Sequence, residues 1–309
     1  MVQTKPIIGY LAPESLEKDL EQEIQRHPQL ELKHQIARLF LAEGPIADLA
    51  FCQNIWCEPQ KFTIDSISQT AKKLREHGKL WAPLSQGFHR RMTLIQEQLP
   101  KLKSQPLTFP GSWPERELGA WTLEDANTLW LSPKTSSPFA NGEVCFVENR
   151  EAPSRAYLKL WEFFSAQKIC PQPSELCLDL GSSPGGWTWV LAGLGCKVIS
   201  VDKAPLTPAL AKNPLIQSLK KDAFQLDPKS VGPVDWLFSD IICYPERLLE
   251  LVHTWIEADL ARNFVCTIKF QGATDFEALD KFRKIPGSRI QHLFCNKHEL
   301  TWSLIRPRN

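Results

Sequence analysis

The 309-residue chain has no apolar run near the roughly 20 residues that a bilayer span requires. Its first residues lack a basic start followed by a long apolar core, so no signal peptide is predicted. Net charge is almost absent. The 36 Lys and Arg against 35 Asp and Glu leave +1, so no global attraction to nucleic acid follows and any such surface must be local. The nine cysteines form no C-x-x-C pair and no Cys/His cluster at zinc spacing, Cys52 and Cys57 being nearest in sequence. They predict reduced, packed thiols of a cytoplasmic protein and no metal site. No internal repeat or low-complexity tract is present, and the oligomeric state is left open.

What remains is the composition of a globular chain long enough for two domains. Up to about Arg150 the signals are mixed. "KPIIGYLAP" reads as a strand, followed by a helix that starts near Ser15. "ELKHQIARLFLAEG" fits either strand or helix. "IDSISQTAKKLREHG" is a helix with Gly78 as its expected C-cap. Residues 1–150 are therefore expected to form a small α+β domain. Between Lys61 and Lys103, nine bases face three acids, with Trp81, Phe88 and His89 among them. Such a stretch is either a solvated helix face and loop or a surface for phosphate backbones and bases.

From residue 151 to 309 helices and strands alternate. "ELCLDL", "CKVISVD", "IQSLKKD", "VDWLFSD", "FVCTIKF", "SRIQHLF" and "LTWSLIR" predict a Rossmann-like α/β sheet of seven strands, closed by a terminal hairpin. The first strand runs into "DLGSSPGGW", a small-residue turn that opens a helix and allows close backbone approach at Gly181 and Gly185. Ser183 stands where the second glycine of G-x-G-x-x-G belongs. Asp179, Asp202, Asp222 and Asp240 fall at the ends of four successive strands, the edge where such sheets bind ligands. An edge this acidic repels a pyrophosphate and suits S-adenosylmethionine, which carries a ribose, an ammonium and a sulfonium but no phosphate.

"SRAYLKL", "DLGSSPGGW", "SDI", "IKFQG" and "HELTW" together resemble the FtsJ-type ribose 2′-O-methyltransferases. The likeness is closer still to the RlmM subfamily, which methylates a cytidine ribose in 23S rRNA. It spans Pro153 to Arg306 and is weak before that. The resemblance implies a methyltransferase acting on RNA, expected to be rRNA, with a Lys-Asp-Lys-Glu tetrad at Lys159, Asp240, Lys269 and Glu299. It implies cofactor contacts at Ser154, Ser183, Pro184, Gly185, Gly186, Trp187, Asp202, Asp222 and Asp240, with Gly181 beside them. Asp202 would take the ribose hydroxyls and Asp222 the adenine amine, while Trp187 either touches the ligand or packs at the base of its helix. For residues 1–150 it implies a ferredoxin-like piece and a reduced THUMP-like RNA-binding region. Two other readings stay open at this level: a non-catalytic RNA-binding module that retains a cofactor pocket, and a Rossmann dehydrogenase.

Overall fold

The computed structural model describes residues 5–103 and 105–307. The chain divides into two compact units, one of Met1–Leu107 with Ser112–Cys145, the other of Thr108–Gly111 with Phe146–Asn309.

The first unit carries β1 (Ile7–Leu11), α1 (Glu17–Arg26), β2 (Glu31–Ile36), β3 (Leu39–Glu43), β4 (Asn54–Trp56), β5 (Gln60–Thr63), α2 (Ile67–His77), β6 (Trp81–Pro83), α3 (His89–Gln96), β7 (Gly119–Leu123) and β8 (Thr128–Ser132). Two four-stranded sheets result, of order β2-β3-β1-β4 and β5-β8-β7-β6. The ambiguous segment after α1 is a hairpin of β2 and β3, turned at Ala37 with φ +50°. One local expectation changes: Ser15 lies in the left-handed region at φ 68°, and α1 begins at Glu17. Gly78 is the C-cap of α2, its N–H donating to the Leu74 carbonyl from extended backbone; a Cβ there would press on the indole of Trp81, whose Nε1 donates to the Gly78 carbonyl at 3.1 Å. Ser66 caps α2 as its side chain accepts from the Gln69 N–H.

The second unit carries α4 (Tyr157–Gln167), β9 (Leu176–Leu180), α5 (Gly186–Gly193), β10 (Lys197–Asp202), α6 (Pro208–Ala211), β11 (Ile216–Lys220), α7 (Pro228–Val231), β12 (Val234–Ser239), α8 (Pro245–Ala258), β13 (Ala261–Lys269), α9 (Phe276–Arg283), β14 (Ser288–Gln291) and β15 (Glu299–Leu304). All seven expected strands form one sheet, in the order β11-β10-β9-β12-β13-β15-β14. The strands from β11 to β13 pair in parallel, and β15 is antiparallel to both its neighbours. The central strands β9, β12 and β13 are nearly continuous apolar runs, as a parallel sheet covered on both faces demands. The helix α9 was not anticipated; Asp275 caps it by accepting from the Ala278 N–H at 2.9 Å.

This topology sets up the site. The parallel strands deliver Asp202 and Lys269 as their last residues, and Asp240 directly follows β12. Because β15 runs the other way, its first residue, Glu299, reaches that same edge, directly opposite Lys269. The hairpin of the last two strands thus adds an acid that a purely parallel sheet would have placed at the far end.

Candidate active site

Four charged side chains converge at this edge. Lys159 Nζ lies 2.6 Å from Glu299 Oε1, 3.0 Å from Asp240 Oδ1 and 3.3 Å from Asp240 Oδ2. Lys269 Nζ lies 3.0 Å from the same Asp240 Oδ1 and 3.8 Å from Glu299 Oε2. Two lysines and two acids alternate, and none of the four side chains is more than 18% exposed. Charges so deeply placed need pairing to offset their desolvation, and here every lysine meets both acids. Burial works against the Lys159 ammonium, but Asp240 and Glu299 outweigh it and hold its pKa above the ordinary lysine value. Lys159 is therefore a fixed cation.

The helix α4 explains how a lysine comes to lie there. Residues Tyr157–Ser165 are all buried. Within that apolar stretch, Lys159 and Glu162 are spaced i, i+3 and share one side of the helix. Glu162 accepts from the backbone N–H groups of Phe294 at 2.8 Å and Cys295 at 3.4 Å.

Beside the tetrad lies a cavity of about 360 Å³. Its wall includes Ser154, Gly181, Ser183, Pro184, Gly186, Trp187, Asp202, Asp240 and Lys269, all singled out from the sequence. Asp179, Ser182, Ala156, Ile241 and Ile242 complete it. Asp179 had been recognised as an edge acid; the others carried no signal beyond their neighbours in the motif. Gly185 and Asp222 are outside the wall. Asp222 accepts from the Phe224 N–H at 3.0 Å and pairs with Lys203 at 2.9 Å, which with that backbone contact holds its carboxyl below the usual range.

Packing by itself requires glycine at these positions. Gly181 has φ +73°, and a Cβ there would collide with Ile241. Gly185 has φ +117°, and a Cβ would collide with Leu210. Both positions require the left-handed region, which glycine occupies without steric cost. At Gly186 a Cβ would meet the Ser154 hydroxyl, so this glycine lets α4's approach segment and α5 come together. Trp187 packs: it is buried and its Nε1 donates to the Ala156 carbonyl at 2.9 Å, and the residue also lies in the cavity wall.

The acids of the wall are held in different ways. Asp202 accepts from the Ser183 N–H at 3.0 Å and the Ala204 N–H at 2.8 Å, which ties the glycine-rich turn to the end of β10. Asp179 is 1% exposed, accepts from the Thr188 hydroxyl, and is pushed up to about 7 by burial, with Asp240 and Asp202 adding to the rise. Lys269 is the one basic residue among the described residues of the wall. This donor set disfavours phosphate and fits a cationic nucleoside. The sheet order, its antiparallel β15 and this acidic cavity define the class: an S-adenosylmethionine-dependent methyltransferase domain.

Comparison with known proteins narrows the class. Residues 152–283 match the FtsJ-like methyltransferase family. Similar relatives include three proteins named ribosomal RNA large subunit methyltransferase M. One, from Laribacter hongkongensis, is 32% identical over 192 residues, covering 57% of this chain and 54% of the relative. One from Xylella fastidiosa (strain 9a5c) is 35% identical over 200 residues, covering 62% and 55%. One from Aromatoleum aromaticum is 28% identical over 239 residues, covering 70% and 62%. The matched part thus spans between half and two thirds of the length of these relatives.

Proposed function

We propose that the chain is an RNA ribose 2′-O-methyltransferase with rRNA, and 23S rRNA in particular, as substrate. The observation that carries this reading is the convergence of Lys159, Asp240, Lys269 and Glu299 at the rim of an acidic cavity, with Lys269 and Asp240 in its wall. The relatives' name, and the resemblance of the motifs, direct the choice of RNA.

S-adenosylmethionine, when bound, supplies an electrophilic methyl group on a sulfonium. Asp202 would hold its ribose, Asp179 and the 181–187 turn its remaining polar groups, and Trp187 one apolar wall. Asp222, outside the wall, would reach the adenine only at its edge. The chain's own task is then to present a ribose hydroxyl in line and to manage its proton. Lys269 faces the cavity and is the group placed to meet the hydroxyl oxygen. Asp240 bridges both lysines through one oxygen and fixes Lys269 in direction. Lys159, a permanent cation behind Asp240 and Glu299, adds positive potential where alkoxide charge develops. Lys269 takes or steers the hydroxyl proton toward the Asp240 carboxylate, which accepts it, and alignment of two bound partners supplies much of the acceleration. In the first unit, the strand order β4-β1-β3-β2 with α1 after β1 supports a ferredoxin-like piece, and the Lys61–Lys103 segment supports RNA contact. Within that segment Trp81 is 1% exposed and packs, so Phe88, 45% exposed, and the exposed His89 are the residues left to stack on a base.

The test is transfer of labelled methyl from S-adenosylmethionine to rRNA from cells lacking the protein, followed by nuclease digestion. Label on a ribose 2′-oxygen is expected; label on a base would overturn the reading.

A further inference from the structure

Glu162 lies outside the tetrad, yet it is buried more deeply than any of its members, at 5% exposure. Its carboxylate is spent entirely on the backbone of the β14–β15 turn: one oxygen accepts from Phe294 and the other from Cys295. That turn ends at Glu299. One helical turn before Glu162, Lys159 contacts Glu299 directly. The same helix therefore grips the turn at two points, by a carboxylate on backbone and by an ammonium on a carboxylate. The turn is further braced from within: the Asn296 N–H donates to the Leu293 carbonyl at 2.9 Å, and Asn296 Nδ2 donates to Thr301 Oγ1 at 3.2 Å, on the strand that Glu299 begins.

We propose that Glu162 is a positioning residue that locks the β14–β15 turn to α4 and so sets Glu299 against Lys159. This rests on the tetrad reading above. A buried carboxylate is a costly way to hold a turn, since an apolar side chain would fill the space without desolvating a charge. What it adds is direction: two N–H groups accepted by one rigid carboxylate fix both the distance and the rotation of the segment. Burial pushes the Glu162 carboxyl up to about 7 while the two N–H groups pull it down, so the anchor works against a real desolvation cost. The tetrad needs such support, because Lys269 reaches Glu299 only at 3.8 Å and depends on Glu299 holding its place beside Lys159.

The experiment uses the full chain, rRNA and S-adenosylmethionine, with Glu162→Gln, Glu162→Met, Glu299→Gln and the double variant Glu162→Met/Glu299→Gln. Gln keeps an acceptor for the Phe294 N–H; Met keeps the length and apolar bulk but accepts nothing. Loss of this anchor should lower kcat about 30-fold in the Met variant, with cofactor Kd changed less than about twofold, and Gln should restore kcat to within about threefold. Because Glu162 acts through Glu299, adding Glu299→Gln to the Met variant should cost less than about threefold more, far less than it costs alone. A folded Met variant with normal kcat, fully additive losses, or a folded Gln variant as impaired as Glu299→Gln would each overturn the assignment. If Met prevents folding, the Gln arm alone decides it. Should Lys269→Ala itself leave transfer intact, the tetrad reading fails, whatever Glu162 does.

Discussion

At the tetrad, Lys159 and Lys269 are met by Asp240 and Glu299, so the charges cancel within a few ångströms. Along the neighbouring cavity wall, Asp179 and Asp202 are met by a hydroxyl and by backbone N–H groups. One end of the cleft is balanced by its own residues. The other carries acid groups whose complement must come from a ligand. On the proposed function this difference would divide the labour: the unbalanced wall would select a positively charged donor, and the balanced cluster would handle a proton with little electrostatic cost of its own. A substitution at one end should therefore disturb chemistry and spare binding, and a substitution at the other should do the reverse or alter stability.

The largest effect is expected at the balanced end. Lys269→Ala should lower kcat by about 10³-fold, the range of a positioned proton-transfer group, while calorimetry finds cofactor Kd changed less than about twofold. A matching loss of cofactor affinity would erase the distinction between the two ends.

Asp179 offers the next test. Its folded pKa is raised to about 7, whereas the unfolded carboxyl titrates near its ordinary value of 3.8. Between roughly pH 4 and 7 the unfolded chain thus holds fewer protons than the folded one, and stability falls as pH rises, then levels off above 7. Glu162, raised to about 7, acts in the same direction; His292, lowered to about 4 by burial, acts in the opposite one below pH 6.5. Asp179→Asn keeps an acceptor for Thr188 and removes the ionisation. It should stabilise the ligand-free protein at pH 8 by about 4 kcal/mol and flatten the fall between pH 4 and 7, as measured by urea unfolding. The same variant should bind a cationic cofactor more weakly, so stability and affinity move in opposite directions.

Asp202→Asn probes the wall with a smaller expected effect. The carboxylate already serves two N–H groups, so the amide must give one up, and cofactor Kd should rise about tenfold with kcat at saturation within about twofold of normal. A fall in kcat with unchanged Kd would place Asp202 in the chemistry instead.

Much of this division was legible before any coordinates. Strand ends are easy to read, since an apolar run that stops at an acid or a lysine marks its own edge, and Asp202, Asp240 and Lys269 were found in that way. The gathering of Lys159 and Glu299 with them was not visible in spacing, because 140 positions separate the two; it rested on motif resemblance alone. A second need for the glycines was not visible: the nearest atoms to the missing side chains of Gly181 and Gly185 belong to Ile241 and Leu210, which are distant in sequence. Glu162 carries no signal in the sequence, because a lone acid on a helix is most often a solvated charge; its burial depends on the turn that closes over it.

Asp222 sharpens the comparison from the outside, because it is an edge acid that does have a cation. Lys203 pairs with it at 2.9 Å but is itself 73% exposed. An exposed partner is screened by solvent, so the pair adds little to stability. Lys203→Ala should change the free energy of unfolding by less than about 0.5 kcal/mol. Its effect should appear in ligand binding: removing the cation leaves the third acid beside the cavity unbalanced, and affinity for a cationic nucleoside should rise about twofold at low salt and return to normal at high salt. An affinity that falls instead would mean that Lys203 contacts the ligand, and that the acids of this edge do not act together as one unbalanced wall.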